Sequence, residues 1–458
     1  MTSEITAKIN DYKKKGATKV KIAITDIDGV LRGKYLSLNK FESIANTFGS
    51  FCDCVFGWDI NDQLYENDIK FTGWHTAYPD AYFKLDMASE RWIDEENVPF
   101  FLGEFVDKDL KSNHPICPKS VLKGILAKAD KMNLGFNLAF EYEFFVFNET
   151  PQSVRDKNYK NLIPLTPGMC GYSILRNSAY SEIFNDFMDY CSGLNIPIEG
   201  LHCETGPGVW EAAIEYDQAM LAADKATIFK TFAKVFFQKR ELMATFMARW
   251  NLDYPGQSGH VHISAFDKKS GQNLFYDKSQ NHNMSKTMQY FIAGMSKYMK
   301  ELLPLTTPTI NSYTRLVKGF WAPTAASWGV ENRTCALRAI PGGDKSQRVE
   351  YRVGSADANP YLTAAALIGA GLRGIEEKLS LDVPIIGNAY DVQDSLPTEK
   401  QLPTSLKEAT MNLKNSKEAV TIFGEEFIEH FVKTREWEVT EYEKAITDWQ
   451  LERYFELI

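Results

Sequence analysis

The segment between Arg348 and Val353 restricts the possible folds of this chain more than any other. It reads RVEYRV. As an extended strand it would send Arg348, Glu350 and Arg352 to one face and the apolar residues between them to the other. A carboxylate between two guanidiniums suits a site that holds a cation and an anionic ligand together. The segment therefore predicts a sheet with one apolar face and one chemically active face.

Two further segments place acids where a buried strand would not normally carry them. Residues 136–147 read FNLAFEYEFFVF, so Glu141 and Glu143 share one face of an otherwise aromatic strand. Two acids in so apolar a strand are costly unless they are paired, which favours a bound cation. In ETGPGVWE the two glycines around Pro207 predict a tight turn, so that Glu204 and Glu211 could converge on one point.

The segment GQSGHVHIS adds two histidines to this set of acids. His260 and His262 would share a strand face, and Gly256 allows the backbone to approach a ligand closely. Six side chains are thus candidate metal ligands: Glu141, Glu143, Glu204, Glu211, His260 and Glu350. This hard, oxygen-rich set selects Mg²⁺ or Mn²⁺, and its size suggests two or three ions. Such a cluster beside arginines is typical of phosphoryl transfer, although the chain contains no P-loop, Rossmann or kinase motif.

Length and composition limit the remaining possibilities. A chain of 458 residues with 44% hydrophobic content predicts two domains, and a charge run with prolines near Val106 to Pro118 suggests where they divide. The net charge of −9, without a long basic run, argues against nucleic acid as a partner. Seven scattered cysteines are typical of reduced thiols. With neither a signal-peptide pattern nor an apolar run of about 18 residues, we expect a cytoplasmic protein that does not bind membranes.

Local periodicity also predicts individual elements. A β-hairpin is expected from Lys19–Thr25 and Val30–Leu36, because both runs flank a short acidic turn with a glycine. Helical spacing is found in four segments: Asn39–Phe48, Pro118–Leu134 with Gly135 as its stop, Asn177–Leu194 with Asn177 or Ser178 as its cap, and Asp217–Arg249.

Taken together, these motifs resemble the glutamine synthetase family. The blocks EYEFFVF, ETGPGVWE, GHVHIS, NSYTRL, ENRTCALR and RVEYRVGSADANPYL stand in the family's order, and the likeness extends from about Lys21 to the C-terminal end. The resemblance implies an α+β fold: an N-terminal β-grasp domain (1–108) and a catalytic domain (109–458) with a curved antiparallel sheet and surrounding helices. It also implies a homo-oligomer of two stacked rings, a dodecamer, with active sites between subunits.

The resemblance assigns roles to the candidate residues. It implies two groups of metal ligands: Glu143, Glu204 and Glu211 for one ion, and Glu141, His260 and Glu350 for the ion nearer the nucleotide. It also implies that glutamate and the transferred phosphoryl group are held by Arg315 and Arg352, with Glu143 and Gly256 beside glutamate. The ATP phosphates and the transition state would be contacted by Arg333 and Arg338. The nucleotide would be contacted by Arg348, His262 and Ser264. The implied reaction has two steps: ATP phosphorylates the γ-carboxylate of glutamate, and an amine then displaces phosphate.

The chain departs from the family pattern where ammonium would bind. Trp321 stands where bacterial enzymes of this type carry a glutamate that takes a proton from ammonium, and Phe56 stands in place of an aspartate. Two aromatic rings in an amine pocket favour a substituted amine: an alkylamine, an amino alcohol or a short polyamine. Asp59 and Asp62 are candidates for contacting its distal group. The loop around Tyr390 resembles an adenylylation loop only weakly.

Two other interpretations remain open at the level of sequence. The chain could be a true glutamine synthetase whose ammonium site is rebuilt from other acids, such as Asp53 or Asp59. It could also be a catalytically silent ring protein that serves as a scaffold. The complete set of ligands and arginines argues against the scaffold, because a scaffold has no need for six buried ligands.

Overall fold

The computed structural model of the protein describes residues 2–458. Two sheets carry the architecture, and both are surrounded by helices. The helices are α1 Thr2–Lys14, α2 Leu38–Ala45, α3 Pro118–Lys131, α4 Pro151–Asp156, α5 Ile174–Ala179, α6 Ser181–Gly193, α7 Ala219–Gln238, α8 Lys286–Leu302, α9 Ser312–Arg315, α10 Pro360–Glu377, α11 Ala389–Val392, α12 Leu406–Asn415, α13 Lys417–Phe423, α14 Glu425–Lys444 and α15 Asp448–Tyr454.

The N-terminal sheet has six strands in the order β2-β1-β6-β4-β3, and β5 pairs with β6. Its strands are β1 Lys19–Thr25, β2 Leu31–Ser37, β3 Gly49–Cys52, β4 Asp80–Leu85, β5 Arg91–Ile93 and β6 Val98–Phe105. The predicted hairpin is confirmed as β1 and β2, which are antiparallel in full register.

Strand β6 is buried on both faces. Phe101 and Phe105 pack into a core of the N-terminal sheet. Phe100 and Leu102 belong to the large core that also covers the second sheet, and the Phe100 ring lies 5.6 Å from that of Phe232 in α7. The sequence of β6 is continuously apolar because one face of the strand packs into the N-terminal core and the other face packs into the large core. The division of the chain at residue 108 stays a prediction.

The second sheet has nine strands and curls into half a barrel, which confirms the predicted antiparallel catalytic-type sheet. Its main path runs β13-β14-β15-β12-β7-β9-β8, and β10 and β11 pair with β7. These strands are β7 Leu134–Phe147, β8 Ile198–Cys203, β9 Val209–Ile214, β10 Asp217–Gln218, β11 Met243–Thr245, β12 Gly259–Asp267, β13 Trp328–Val330, β14 Leu337–Ile340 and β15 Arg348–Tyr351. Neighbours in this sheet are antiparallel except for the pair β13 and β14.

Three predicted helix boundaries are wrong. Helix α3 ends at Lys131, and Gly135 lies inside β7 instead of stopping the helix. The region 177–194 contains two helices that meet at Tyr180, and the side chain of Asn177 accepts a hydrogen bond from the Cys203 amide instead of capping α6. Helix α7 covers only 219–238, because the segments on either side of it pair with β7 as β10 and β11. Long-range pairing overrides helical periodicity at these ends.

None of the helices within residues 2–458 combines the length and the apolar composition that crossing a bilayer requires. All seven cysteines are free thiols.

Two buried histidines predict how stability depends on pH. Burial lowers the pKa of His114 to about 4 and that of His430 to about 3, and the Phe71 ring lies against both. An unfolded chain binds protons on both rings below about pH 6.5, whereas the folded protein does not until pH 4 or lower. The stability that these rings contribute is therefore complete above pH 6.5. It should fall between pH 6.5 and 4 by ~1.4 kcal/mol per pH unit and ring.

The measurement is the thermal midpoint between pH 7.5 and 5, before most carboxylates titrate. We expect the double variant His114→Phe/His430→Phe, which keeps two aromatic rings, to lose most of the decline that the wild type shows below pH 6.5. Equal slopes in both proteins would contradict the assignment.

Candidate active site

The exposed face of the nine-stranded sheet carries most of the predicted site residues. Strand β7 alternates strictly over its first ten residues, so that its apolar side chains face the core and Glu141 and Glu143 face the concavity. Directly opposed residues in neighbouring strands point to the same face. His260 on β12 lies opposite Glu141, and Glu211 on β9 lies opposite Glu143. On the other side of β12, Glu350 on β15 lies opposite His262.

The centre of this cluster consists of two imidazoles and three carboxylate oxygens. His260 Nδ1 lies 3.1 Å from Glu141 Oε1 and 3.7 Å from Glu350 Oε1. His262 Nε2 lies 3.7 Å from the other oxygen of Glu141. The remaining ring nitrogen of His260 is buried and has no hydrogen-bond partner among the described residues. An imidazole held among carboxylates in this way is suited to bind a cation.

Two overlapping groups have the spacing of a metal site. One group is Glu141, His262 and Glu350; the other is Glu141, Glu211 and His260. Glu141 is common to both, because β7 lies between β12 and β9 in the sheet. This grouping differs from the one that the family resemblance implies, in which Glu141 serves one ion only and His262 serves the nucleotide.

Two other predicted ligands lie at the margin of these groups. Glu143 accepts a hydrogen bond of 2.6 Å from the Ser258 amide. Glu204 lies 3.3 Å from the Nε2 atom of His202, a ring that is also 3.4 Å from Glu211. Glu143 and Glu211 are directly opposed in the sheet, so their side chains lie on the same face.

Burial and neighbouring charges shift the pKa values of the acids in the cluster. Burial, together with the charges of Glu141, Glu143 and Glu204, raises the pKa of Glu211 to about 10. At Glu350 burial acts in the same direction, but His260 and Arg352 outweigh it and lower the pKa to about 2. Because buried like charges repel strongly, a divalent cation would relieve the strain at Glu211. The hard donor set fits Mg²⁺ or Mn²⁺.

The arginines form a second layer on the same face. Glu350 pairs with Arg352 and, at 3.1 Å, with Arg338, which also pairs with Glu331. Arg352 Nε donates to the carbonyl of Arg333, in the turn between β13 and β14. The side chain of Arg333 is exposed. Glu350 therefore holds both Arg338 and Arg352 beside the metal cluster, and Arg333 remains free to meet a ligand.

Arg315 is placed differently from its prediction as a group in contact with substrate. It is 1% exposed, and its guanidinium donates to the carbonyls of Val353 and Arg352 and to the Ser258 hydroxyl. A methyl group on Gly256 would lie 2.6 Å from the Cγ atom of Arg315, so this glycine is required by packing. In this conformation Arg315 positions the backbone next to Arg352.

A cleft of about 600 Å³ opens beside the cluster. His262, Ser264 and Arg348, the three residues predicted to contact the nucleotide, all line it. Arg348 Nε donates to His262 Nδ1 over 3.2 Å, which leaves the opposite nitrogen of this ring facing Glu141. The volume is that of a typical small-molecule site.

Two residues of the site escaped the sequence analysis. His202 bridges Glu204 and Glu211, and the ring of Tyr172 stacks on it, with centroids 4.3 Å apart. The position of His202, two residues from Glu204 on a strand, was a signal that could have been used. Tyr172 reaches the site from an irregular loop, and no local sequence pattern predicts its position.

The predicted amine pocket is only partly present within one chain. Trp321 is 56% exposed, on a loop where its backbone is left-handed (φ 60°). Phe56 is wholly buried: a short 3₁₀ turn directs it into the N-terminal core, where it stacks on His114. The prediction that Phe56 contacts the amine is therefore wrong, because its ring has no free surface.

The acids proposed for this region are also engaged within the chain. Asp53 is buried and accepts from the Thr72 hydroxyl. Asp59 accepts from the Trp437 indole, and Asp62 pairs with Arg32.

Comparison with known proteins identifies the family. The model of the glutamine synthetase catalytic domain matches residues 115–454. The type-1 glutamine synthetase 2 of Dictyostelium discoideum is 45% identical over 452 residues, which are 98% of this chain and 86% of that protein. The glutamate–isopropylamine ligase of a Pseudomonas species is 34% identical over 456 residues, 98% of each chain. The γ-glutamylethanolamide synthetase of Streptomyces coelicolor is 32% identical over 441 residues, 95% of this chain and 92% of that one.

A solved structure has the same fold as this chain. The structure of apo GmaS has a TM-score of 0.84 and covers 97% of this chain and 98% of its own, at 24% identity, which supports the fold. Enzymes of the family use ATP, divalent metal ions and small-molecule substrates, and the acid cluster and its cleft are consistent with those requirements. This chain therefore belongs to the glutamine synthetase family of ligases, which form carbon–nitrogen bonds.

Proposed function

We propose that this enzyme joins the γ-carboxylate of glutamate to a substituted amine in two steps. In the first step, the γ-carboxylate attacks the terminal phosphorus of ATP, which forms γ-glutamyl phosphate and releases ADP. In the second step, the amine nitrogen attacks the acyl carbon, phosphate leaves and the nitrogen loses a proton. The substrate class is an alkylamine, an amino alcohol or a short polyamine.

The first step is supported by the acid and arginine layers. The residues that would hold two or three divalent ions are Glu141, Glu143, Glu204, Glu211, His260 and Glu350, with His262 within reach of the same space. Bound there, the ions would neutralise the phosphates of ATP. Arg338 and Arg352, oriented by Glu350, and the exposed Arg333 would stabilise the charge that develops on the transferred group. Arg348 and Ser264 would hold the nucleotide in the cleft.

The observation that carries the choice of amine is the indole of Trp321, largely exposed on its loop. An indole provides no carboxylate to hold ammonium and remove its proton, but it offers apolar surface and a ring face to a carbon-substituted ammonium group. Asp53 and Asp59 are occupied by Thr72 and Trp437, which argues against a rebuilt ammonium site. Two relatives, one named as a glutamate–isopropylamine ligase and one as a γ-glutamylethanolamide synthetase, match at least 95% of this chain.

A glutamine synthetase that uses ammonia is the second candidate. Its support is the relative from Dictyostelium discoideum, which carries that name and is 45% identical to this chain. In that case the ammonium site would be rebuilt from other acids, and the two candidates Asp53 and Asp59 would have to exchange their present partners, Thr72 and Trp437, for ammonium.

We also propose that the chain works in the cytoplasm as a homo-oligomer of two stacked rings, a dodecamer. The support is apolar surface that a single chain leaves uncovered. In and after α15, Trp449 is 59% exposed, Phe455 86%, Leu457 83% and Ile458 95%. Exposed large apolar side chains in one segment are typical of a contact with another chain. We further propose that residues 1–108 form a separate β-grasp domain, and that in the ring each active site forms between the β-grasp domain of one subunit and the catalytic sheet of its neighbour.

The test is phosphate release by the purified protein with ATP, glutamate and Mg²⁺ or Mn²⁺, across ammonium, methylamine, ethanolamine, isopropylamine and putrescine. We expect at least one substituted amine to give a kcat/KM at least about tenfold above that for ammonium, which corresponds to roughly 1.4 kcal/mol of transition-state binding. Ammonium as the best substrate would support the second candidate. Absence of glutamate-dependent turnover with all five would contradict both.

A further inference from the structure

The guanidinium of Arg249 is held in one fixed orientation. Its three nitrogens donate to backbone carbonyls over 2.6 to 2.9 Å, and the acceptors are Leu252, Thr314 and Tyr254. The residue is buried. Because the N–H groups of a guanidinium lie in one rigid plane, three such bonds determine how the plane is oriented. The flat face of Arg249 is therefore a fixed surface on which an aromatic ring can pack.

The backbone of Arg249 is fixed as well. Its amide donates to Asn311 Oδ1 over 2.8 Å, and Asn311 Nδ2 donates back to the Arg249 carbonyl over 2.7 Å. Asn311 directly precedes α9, whose last residue is Arg315. The position of Arg249 is thus coupled to the helix that supports the arginine layer of the site.

The loop that carries Trp321 packs on this fixed guanidinium through its neighbour Phe320. The Cζ atom of Arg249 lies 5.0 Å from the centroid of the Phe320 ring, in cation–π geometry. The backbone is left-handed at Gly319 (φ 85°) and again at Trp321 (φ 60°). A left-handed conformation is unfavourable for a residue with a side chain, so it persists only where surrounding contacts hold it.

The loop has a second attachment, an ion pair of 2.5 Å between Lys318 and Asp394. Both of these side chains are exposed, and exposed ion pairs contribute little to stability. The Phe320 ring, by contrast, packs on a guanidinium that is buried and cannot move away. We therefore expect the contact between Phe320 and Arg249 to determine where the loop lies.

We propose that Phe320 is a positioning residue for the amine, because its contact with Arg249 holds the Trp321 indole where the carbon substituent of the amine binds. The inference rests on the proposed function, since it takes Trp321 to contact the amine. Phe320 itself would not touch the substrate. The selectivity for substituted amines would then depend on a cation–π contact at the base of the loop as well as on the indole.

The test is the Phe320→Leu variant, which keeps apolar bulk and removes the ring face. The measured quantity is the ratio of kcat/KM for the best substituted amine to that for ammonium, at saturating ATP, glutamate and metal. We expect this ratio to fall roughly three- to tenfold, the effect of losing one partly exposed cation–π contact. KM for ATP and KM for glutamate should stay within about twofold of the wild type. Phe320→Tyr, which keeps the ring, should have the wild-type ratio.

A double variant shows whether Phe320 acts through Trp321. If Phe320 only positions the indole, its replacement should have no further effect once the indole is absent. We expect Phe320→Leu/Trp321→Leu to match Trp321→Leu in this ratio within about twofold, because the effects of two coupled residues do not add. A purely structural role of Phe320 would lower the ratio by the same factor in both backgrounds.

Lys318→Ala is the matched control, because it removes the other attachment of the same loop. It should keep the wild-type ratio within about twofold. If it lowers the ratio as much as Phe320→Leu does, general loosening of the loop explains the effect and the inference is overturned.

The remaining outcomes separate this inference from the function on which it rests. If the wild type prefers a substituted amine and Phe320→Leu keeps the wild-type ratio, the inference is overturned and the proposed function stands. The same holds if the effects of Phe320→Leu and Trp321→Leu add fully. A wild type that prefers ammonium would overturn both the choice of amine and this inference.

Discussion

Glu211→Ala should abolish glutamate-dependent phosphate release with every amine, and yet the protein should unfold at no lower a temperature than the wild type when divalent ions are absent. Both expectations follow from the position of Glu211. It lies opposite Glu143 on the neighbouring strand and shares a possible metal group with Glu141 and His260. Without an ion, burial and the surrounding acids oppose its charge. Because its pKa is raised to about 10, Glu211 takes up a proton in the metal-free folded protein, so the variant avoids the free energy that this protonation costs at neutral pH. In the metal-loaded protein the variant lacks a ligand.

The loss of activity should exceed about a hundredfold, because even residues that only orient metal ligands change affinity by 10- to 100-fold. Wild-type protein should gain thermal stability as Mn²⁺ is added, since an ion that binds only the folded state stabilises it. The variant should show little of this gain. Retained activity at saturating Mg²⁺ would show that Glu211 is not a ligand.

Glu149 provides a control for the burial of a glutamate. It is 4% exposed, and it is paired with Lys157 and hydrogen-bonded by the Ser153 hydroxyl and the Ile163 amide. Glu149→Ala should lower the thermal midpoint, because three donors lose their acceptor. It should preserve the stabilisation by Mn²⁺. Glu211→Ala should therefore lose metal binding and keep its stability, whereas Glu149→Ala should lose stability and keep metal binding.

Trp321→Glu should shift the amine preference toward ammonium. The indole provides apolar surface, worth about 25 cal/mol per Å² that a carbon chain buries. Its ring face attracts a cation by roughly 0.5–2 kcal/mol. A carboxylate in its place removes the apolar surface, and it offers ammonium a negatively charged hydrogen-bond acceptor. We expect the ratio of kcat/KM for ammonium to that for the best substituted amine to rise by about tenfold or more.

Trp321→Leu separates the two contributions of the indole. Leucine keeps apolar surface and has no ring face, so the preference for carbon-substituted amines over ammonium should weaken without reversing. The measurement is kcat/KM for each amine in both variants and in the wild type. If Trp321→Glu leaves the amine preference unchanged, the amine does not contact Trp321, and this interpretation of the pocket is wrong.

The sequence alone determined which residue types share a face of the sheet. Strict alternation in β7 sent Glu141 and Glu143 to the face opposite the aromatic core, and alternation in β15 did the same for Arg348 and Glu350. These patterns are local, because the side-chain period of a strand is set by backbone geometry within a few residues. The predicted hairpin depended on the same kind of information, whereas the α+β class was implied by the family resemblance.

The tertiary structure decided which partners each side chain meets. Glu141 belongs to two metal groups only because long-range pairing places β7 between β12 and β9. Arg315 is enclosed by Val353 and Ser258, and Phe56 is turned into the N-terminal core, although both had been expected to meet a ligand.

Tyr172 reaches the acid layer from a loop without periodicity. Strand register and loop paths depend on contacts between residues far apart in the chain. The sequence therefore determined which chemical groups face the site, whereas the packing of distant segments decided their neighbours.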